Sequence, residues 1–363
     1  MSDTPLPITL LTGFLGSGKT TVLNHLVRTL PRTAILMNEF GEVALDHQLL
    51  QKMDGPLALL SGGCVCCTIS GSLSPTLKNL WMARATGDIP AFERVIIETT
   101  GIADPAPVLD TLLHDNWVRA RFRIDGVVTT VDALFGMGQL DEHVEAVKQV
   151  AVADRLLLTK TDVAPADTVA ALRGQLATLN PAADIVTVTH GELDPAAIQN
   201  LGLWNAETRS LEVARWLKPQ RYQPAVAGTL GGKPATALHD ARIRAFSVVL
   251  DAPLDRYGLQ SALSMLTAFR ADNLLRFKAL VNLAGEDKPV VLHGVQHVLY
   301  PEVRLDAWPD DDRRSRFVFI VRDLEPGFVA KLLADFSGAA LNIEGTEDAE
   351  GKMVSSTTSA SSL

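Results

Sequence analysis

Up to about Trp216, short apolar runs alternate with segments whose apolar residues recur at helical spacing, the pattern that builds a parallel sheet covered by helices on both faces. The runs predict strands at 8–11, 34–37, 57–60, 95–97, 127–131, 156–158 and 185–188. After the first strand, Val22, Leu23, Leu26, Val27 and Leu30 make one helical face, and Asp104-Pro105 predicts a helix start with the acid as cap and the proline at the first position. Over 218–238 the periodicity lapses into Pro, Gly and Ala, including Gly228, Gly231, Gly232 and Pro234, which predicts an exposed linker. Beyond it the pattern predicts a strand at 243–250, a helix at 254–269, strands near 274–283, 290–299 and 316–321, and a helix at 327–336. Strands in succession with short connections make this a smaller α+β unit with an antiparallel sheet. The fold class is therefore α/β: a parallel-sheet domain over 1–217, a linker over 218–238, an α+β domain over 239–345 and a Ser/Thr-rich tail over 346–363 that reads as disordered.

A length of 363 residues suits two domains at roughly 150 residues each. With 47% hydrophobic and 21% charged residues the chain is neither a disordered polymer nor a coiled-coil rod. The 33 Lys+Arg against 42 Asp+Glu give a net charge of -9, the wrong sign for tracking a nucleic-acid backbone. No apolar run reaches the roughly 18 residues that span a bilayer, and Met1-Ser2-Asp3-Thr4-Pro5 lacks the basic flank of a signal peptide, so the expectation is a cytoplasmic protein with no membrane partner.

Gly13-Phe14-Leu15-Gly16-Ser17-Gly18-Lys19-Thr20 fits G-x-x-x-x-G-K-[ST] and lies between an apolar strand and an amphipathic helix, as a P-loop requires. Glycines let backbone N–H groups wrap the phosphates, Lys19 puts a positive charge beside the β and γ oxygens, and Thr20 offers its hydroxyl to Mg²⁺. A later strand ends in Glu98-Thr99-Thr100-Gly101, where a P-loop enzyme needs a carboxylate near Mg²⁺ and a γ-phosphate sensor; Glu98 is the candidate for indirect magnesium contact and for orienting water. Thr159-Lys160-Thr161-Asp162 resembles the N-K-x-D guanine motif, in which Asp162 would accept two hydrogen bonds from a guanine edge that adenine cannot donate.

All 3 cysteines lie within Cys64-Val65-Cys66-Cys67, behind Gly62 and Gly63. Thiolates at this density suit Zn²⁺, Cu⁺ or Co²⁺ better than a disulfide, and the glycines predict a loop that folds round the ion. Three thiolates leave a fourth position for an O or N donor or an incoming partner; Glu39, Glu42 and His114 are the candidates. His293 and His297, four apart in an expected strand, read as structural or interface residues.

Together these features resemble the CobW family of P-loop GTPases, metallochaperones related to the nickel-insertion GTPases of hydrogenase and urease maturation. The resemblance rests on 11–21, from Leu11 through Thr20 to Thr21, on Asn38-Glu39-Phe40-Gly41-Glu42, on the cysteine signature, and on the motifs at Glu98 and Thr159. In the second domain it rests on Leu274-Leu275-Arg276-Phe277-Lys278 and Leu283-Ala284-Gly285-Glu286-Asp287. It implies a GTP-hydrolysing protein that uses Mg²⁺ and delivers Zn²⁺, or in some members cobalt, to a client metalloprotein. Two departures stand out: Thr159 occupies the place of the usual Asn, and the His-rich segment of some relatives is missing. Two other classes fit the residues, a P-loop small-molecule kinase with structural zinc and a metal-sensing regulatory GTPase, and an oligomer is compatible with either.

Overall fold

The apolar run behind Pro5 becomes the middle of a nine-stranded sheet. The computed structural model describes residues 4–37, 50–52, 57–60, 64–68, 72–202, 213, 216, 222–224 and 242–338, of which 50–52, 57–60, 64–68 and 223–224 are described by backbone alone. In the first domain the chain runs through β1 (Leu6–Gly13), α1 (Lys19–Thr29), β2 (Thr33–Met37), β3 (Leu50–Lys52), β4 (Leu57–Leu60) and β5 (Cys64–Thr68). It continues through α2 (Leu73–Thr86), β6 (Arg94–Glu98), α3 (Ala106–His114), α4 (Asn116–Arg119) and β7 (Phe122–Asp132). The last elements are α5 (Gly136–Glu142), α6 (Val144–Ala151), β8 (Arg155–Thr159), α7 (Ala166–Leu179) and β9 (Asp184–Val188).

Strand order is β3-β4-β5-β2-β6-β1-β7-β8-β9. From β5 to β9 all neighbours are parallel, while β3 and β4 extend the edge in antiparallel sense. Parallel strands covered on both faces read as continuous apolar runs, which is why their cores were visible as such. Alternate residues divide between two layers. Leu11, Ile35, Ile96 and Val128 pack with Val22, Leu23 and Leu26 of α1, whereas Leu10, Leu36, Ile97 and Val127 pack with Leu77, Leu109 and Val118 from α2, α3 and α4.

The second unit holds β10 (Gln223–Pro224), β11 (Ile243–Leu250), β12 (Leu274–Val281), β13 (Val290–Val295), β14 (Val298–Leu299), β15 (Val303–Arg304) and β16 (Ser315–Arg322). Their order is β10-β11-β16-β12-β13-β14, with β15 beside β13, and every pairing but β10 to β11 is antiparallel. Helices Arg256–Phe269 and Pro326–Ser337 cover one face through Leu259, Leu263, Leu266, Val329 and Leu333.

The other face docks on the first domain. Leu275 and Ile320 join the cluster of α6, α7 and β8, and the buried Arg276 donates to the Val152 and Ala153 carbonyls and to the Asp154 carboxylate. Asp154 also takes Lys278 at 3.1 Å and the Val127 amide at 3.0 Å. Burial alone would raise the Asp154 pKa, but the Arg276 and Lys278 charges outweigh it and hold the carboxyl well below its ordinary range.

Three expectations change. Cys64, Cys66 and Cys67 lie on a strand, not in a loop: β5 is paired on both sides, with Cys66 level with Ile35 and Cys67 with Leu36 of β2 and β4 running antiparallel beside them. The ladder on two edges supplies the order that Gly62 and Gly63 suggested was missing. His293 and His297 do not share a strand, because a turn at Gln296, with φ +52°, ends β13 at Val295 and leaves His297 exposed. The helix behind Asp104 begins at Ala106, with Asp104 Oδ1 accepting the Ala106 amide at 3.0 Å, one place later than a cap followed by Pro at the first position. Most of the 218–238 linker and the whole 346–363 tail lie outside the described residues.

Candidate nucleotide site and thiol strand

β1 ends at Gly13, and the loop that follows turns on left-handed glycines, Gly16 at φ +73° and Gly18 at φ +89°. Gly13 is demanded by space: a Cβ there would fall on the Thr130 hydroxyl. The loop is pinned from below by Ser17, whose Oγ donates to the Phe14 carbonyl at 2.7 Å and meets Thr130 Oγ1 at 2.7 Å. Phe14 stacks on His143 with centroids 4.6 Å apart. The result is a preformed cradle at the N-terminus of α1, where backbone N–H groups and the helix dipole favour an anion.

Lys19 is 9% exposed and curls back over the loop, its Nζ donating to Gly13 O at 2.8 Å and Phe14 O at 3.2 Å. Burial lowers its pKa, opposed by the charge of Glu98. Glu98, 8% exposed at the end of β6, accepts a hydrogen bond from the Thr20 hydroxyl at 3.3 Å. Burial raises its pKa, and Lys19 and Thr20 pull it down. A threonine hydroxyl beside a carboxylate is a hard oxygen donor set, and it fits Mg²⁺ bound at the foot of a triphosphate.

The segment after Glu98 is fastened to the loop. Thr99 donates from its amide to Leu11 O at 3.0 Å and from its hydroxyl to Thr12 Oγ1 at 2.8 Å. Gly101 sits against Leu15, where a Cβ would stand 2.7 Å from the Leu15 nitrogen.

At the end of β8, Thr159 is 5% exposed and its hydroxyl shares its proton between Ser17 O at 2.8 Å and Val131 O at 3.1 Å. Lys160, at φ +56°, reaches the Asp132 carboxylate at 2.6 Å, and Asp132 in turn accepts the Leu134 and Phe135 amides at 2.8 and 3.2 Å. Asp162 lies 3.9 Å from His190 Nε2, in the loop behind β9. Gly191 beside it, at φ +81°, packs against the Thr21 carbonyl, so that loop closes on the start of α1.

The structure thus gathers Gly13, Gly16, Ser17, Gly18, Lys19, Thr20, Thr21, Glu98, Thr159, Lys160 and Asp162 at the C-terminal end of the central strands. Sequence reading missed Thr130, Asp132, His143, His190 and Gly191; a polar residue just past an apolar strand was the signal for Asp132 and His190, and nothing local pointed to the others. His114 stands exposed at the end of α3 with Nδ1 2.8 Å from Asp110 Oδ1. Glu39, Glu42 and the cysteine side chains lie outside the described residues, and among those described no group of three or more His, Cys, Asp or Glu is placed to hold a metal. No described helix is long and apolar enough to cross a membrane.

Comparison with known proteins gives two domain matches. Residues 7–187 match the CobW/HypB/UreG nucleotide-binding domain and residues 243–337 the cobalamin synthesis protein cobW C-terminal domain. The zinc chaperone YjiA of Escherichia coli is 35% identical over 318 residues, covering 87% of this chain and 94% of the relative. The zinc chaperone CobW of Pseudomonas aeruginosa is 28% identical over 363 residues, covering 90% of each. The crystal structure of Zn(II)-bound YjiA GTPase from E. coli superposes with a TM-score of 0.71 at 32% identity, covering 92% of this chain and 99% of that one. Both domain matches fall on the two units seen in the fold, and a relative above 30% identity is spanned almost end to end: the chain belongs to the CobW family of nucleotide-binding proteins.

Proposed function

We propose that the chain is a GTP-hydrolysing metallochaperone that binds Zn²⁺, or Co²⁺, through Cys64, Cys66 and Cys67 and passes it to a client metalloprotein in a nucleotide-dependent way. The observation that carries this reading is one rung of the sheet. Thr68 at the end of the thiol strand is level with Met37, Met37 with Glu98, and Glu98 with Leu11, two residues before the phosphate loop. The strand expected to sense the γ-phosphate therefore lies between the nucleotide and the cysteines.

Within this reading Lys19 would neutralise charge on the phosphates, and Thr20 and Glu98 are the residues that would hold the Mg²⁺ of a Mg²⁺·GTP complex, Glu98 indirectly. Mg²⁺ supplies charge withdrawal from the β and γ oxygens when bound. Glu98 also orients the attacking water, for which its burial and raised pKa leave it a better proton acceptor than a solvated glutamate. Asp162 and Lys160 frame the guanine, with Thr159 tying that corner to the phosphate loop. Glu39, Glu42 or His114 would complete the thiolate set. On this reading the 1–217 domain carries the nucleotide and thiol chemistry, and the 218–238 linker leads from it to the 239–345 domain.

Coupling between nucleotide and ion is reciprocal: if GTP tightens metal binding, metal tightens GTP binding by the same factor. The test is a Zn²⁺ titration against a chromophoric chelator with GDP and then a non-hydrolysable GTP analogue, on wild type and on a Cys64/Cys66/Cys67→Ser variant. The expected result is affinity that changes with nucleotide and is lost in the variant. Equal affinity in both nucleotide states would remove the carrier reading.

A further inference from the structure

The path from Glu98 to α3 is held at its far end by the second domain. Gln149 of α6, 1% exposed, donates from its amide to the carbonyls of Gly101 at 3.0 Å and Ala103 at 3.1 Å. Asp104 accepts Lys148 at 2.8 Å and, on both carboxylate oxygens, the side-chain amide of Gln296 at 3.0 and 2.9 Å. Burial would raise the Asp104 pKa, but these bonds and the Ala106 amide together hold it below the usual range.

Gln296 is 192 residues further along the chain, on the turn between β13 and β14. It is 6% exposed and sits at φ +52°, a conformation that costs a glutamine energy and persists only where the surroundings hold it. Its backbone N–H donates to Leu275 O at 3.4 Å, one residue before the Arg276 that is locked onto Val152, Ala153 and Asp154. The flanking Val295 and Val298 are buried in the same cluster as Leu109 and Val152. The amide is therefore presented from a rigid platform, and its target is the anchor of the segment that carries the hydrolytic carboxylate.

We propose that Gln296 is a positioning residue for GTP hydrolysis, fixing through Asp104 the course of residues 98–104 so that the second domain sets the turnover of the nucleotide site. The inference rests on the GTPase reading above and deepens it by naming how the site is regulated. A segment that must shift when the γ-phosphate leaves has two restraints of different origin: Gln149 and Lys148 move with the first domain, Gln296 with the second. A rotation of the second domain would slacken only the Gln296 restraint, and Glu98 would lose its register with Thr20.

The experiment uses the full chain, with steady-state phosphate release from GTP, affinity for a fluorescent GDP analogue and thermal unfolding read in parallel. Gln296→Ala is expected to lower kcat at least about fivefold while KM for GTP and GDP affinity stay within about twofold, the size of a typical coupling between sites. Gln296→Glu sets two carboxylates against each other and is expected to fall at least as far. The exchange Asp104→Asn with Gln296→Glu rebuilds a carboxylate–amide pair in reverse and is expected to recover most of the loss. Wild-type kcat in Gln296→Ala would overturn the proposal. So would equal losses of kcat, GDP affinity and thermal stability that the exchange does not restore, since those mark a packing role only. A wild-type protein that binds GDP but releases no phosphate, or binds no guanine nucleotide, would instead bring down the GTPase reading itself.

Discussion

The Thr159 hydroxyl donates to the Ser17 carbonyl at 2.8 Å across 142 residues of sequence, joining the end of β8 to the loop between β1 and α1. A second acceptor, Val131 O, lies 3.1 Å away, and all three groups are buried. Thr159→Val keeps the shape and removes the donor, so the one hydroxyl proton shared between Ser17 O and Val131 O is lost, at a cost of about 0.5–1.5 kcal/mol. The expected outcome is a lower Tm and weaker GDP binding together, measured by thermal unfolding with and without GDP; an unchanged Tm would mean that water replaces the hydroxyl.

Gly101→Ala tests the contact between the 98–104 segment and the phosphate loop. The new methyl would stand 2.6 Å from a Leu15 side-chain carbon and 2.7 and 2.8 Å from the Leu15 nitrogen and Cα. The side chain can yield and the backbone cannot, so either the loop or the segment shifts, at about 1–3 kcal/mol. GTP turnover is expected to fall about tenfold or more, equivalent to roughly 1.4 kcal/mol in the barrier. Single-turnover hydrolysis measures it, and wild-type turnover would show that the segment has slack.

The strand cores were legible because the buried runs are mostly apolar, broken only by short residues such as Thr9, Thr129 and Thr130, and 57–60 and 243–250 match their observed bounds. The ends were not: Arg94, Glu98, Asp132 and Thr159 belong to strands through ladder partners, which local hydropathy does not record. For the nucleotide loop, motif and flanks sufficed, since its contacts with Thr20 and Lys19 are local. The cysteine strand was illegible because its order comes from β2 and β4. Gln296 and Arg276 act across more than 120 residues, and an isolated Gln or Arg in an apolar run carries no sign of what it meets.

Asp154→Asn removes the carboxylate that Arg276 and Lys278 share between the domains. An uncompensated buried guanidinium is expected to cost about 3–5 kcal/mol at pH 7. Because the folded-state pKa of Asp154 is depressed below 3.8, its contribution is present above that value and is lost as the pH falls through the folded one. Urea unfolding should therefore show a large gap between variant and wild type at neutral pH that narrows only below about pH 4. A gap constant down to pH 2 would mean that Asp154 is not charged in the fold.

His293 contributes on the other side of that limb. Its ring stacks on Tyr300 with centroids 4.1 Å apart, its Nε2 is buried without a partner among the described groups, and burial, Arg276 and Lys278 together outweigh Asp154 to push its pKa well below 6.5. The unfolded chain binds a proton below 6.5 that the folded chain does not, so stability falls as the pH drops through this window, by up to about 1.4 kcal/mol per unit. His293→Phe keeps the ring stack and is expected to flatten the stability profile between pH 7 and pH 5, measured by urea unfolding at each pH. An unchanged slope would assign that proton uptake to another group.

The order β5-β2-β6-β1 puts three inter-strand steps, about 14 Å, between the thiol strand and the phosphate loop. On the carrier reading proposed above, a thiolate-bound ion and a γ-phosphate would therefore lie too far apart to touch. On that reading the sheet would join them, its rungs passing a displacement sideways. Communication of that kind is mechanical: raising the salt concentration would weaken the binding of each ligand while leaving the factor by which one alters the other intact.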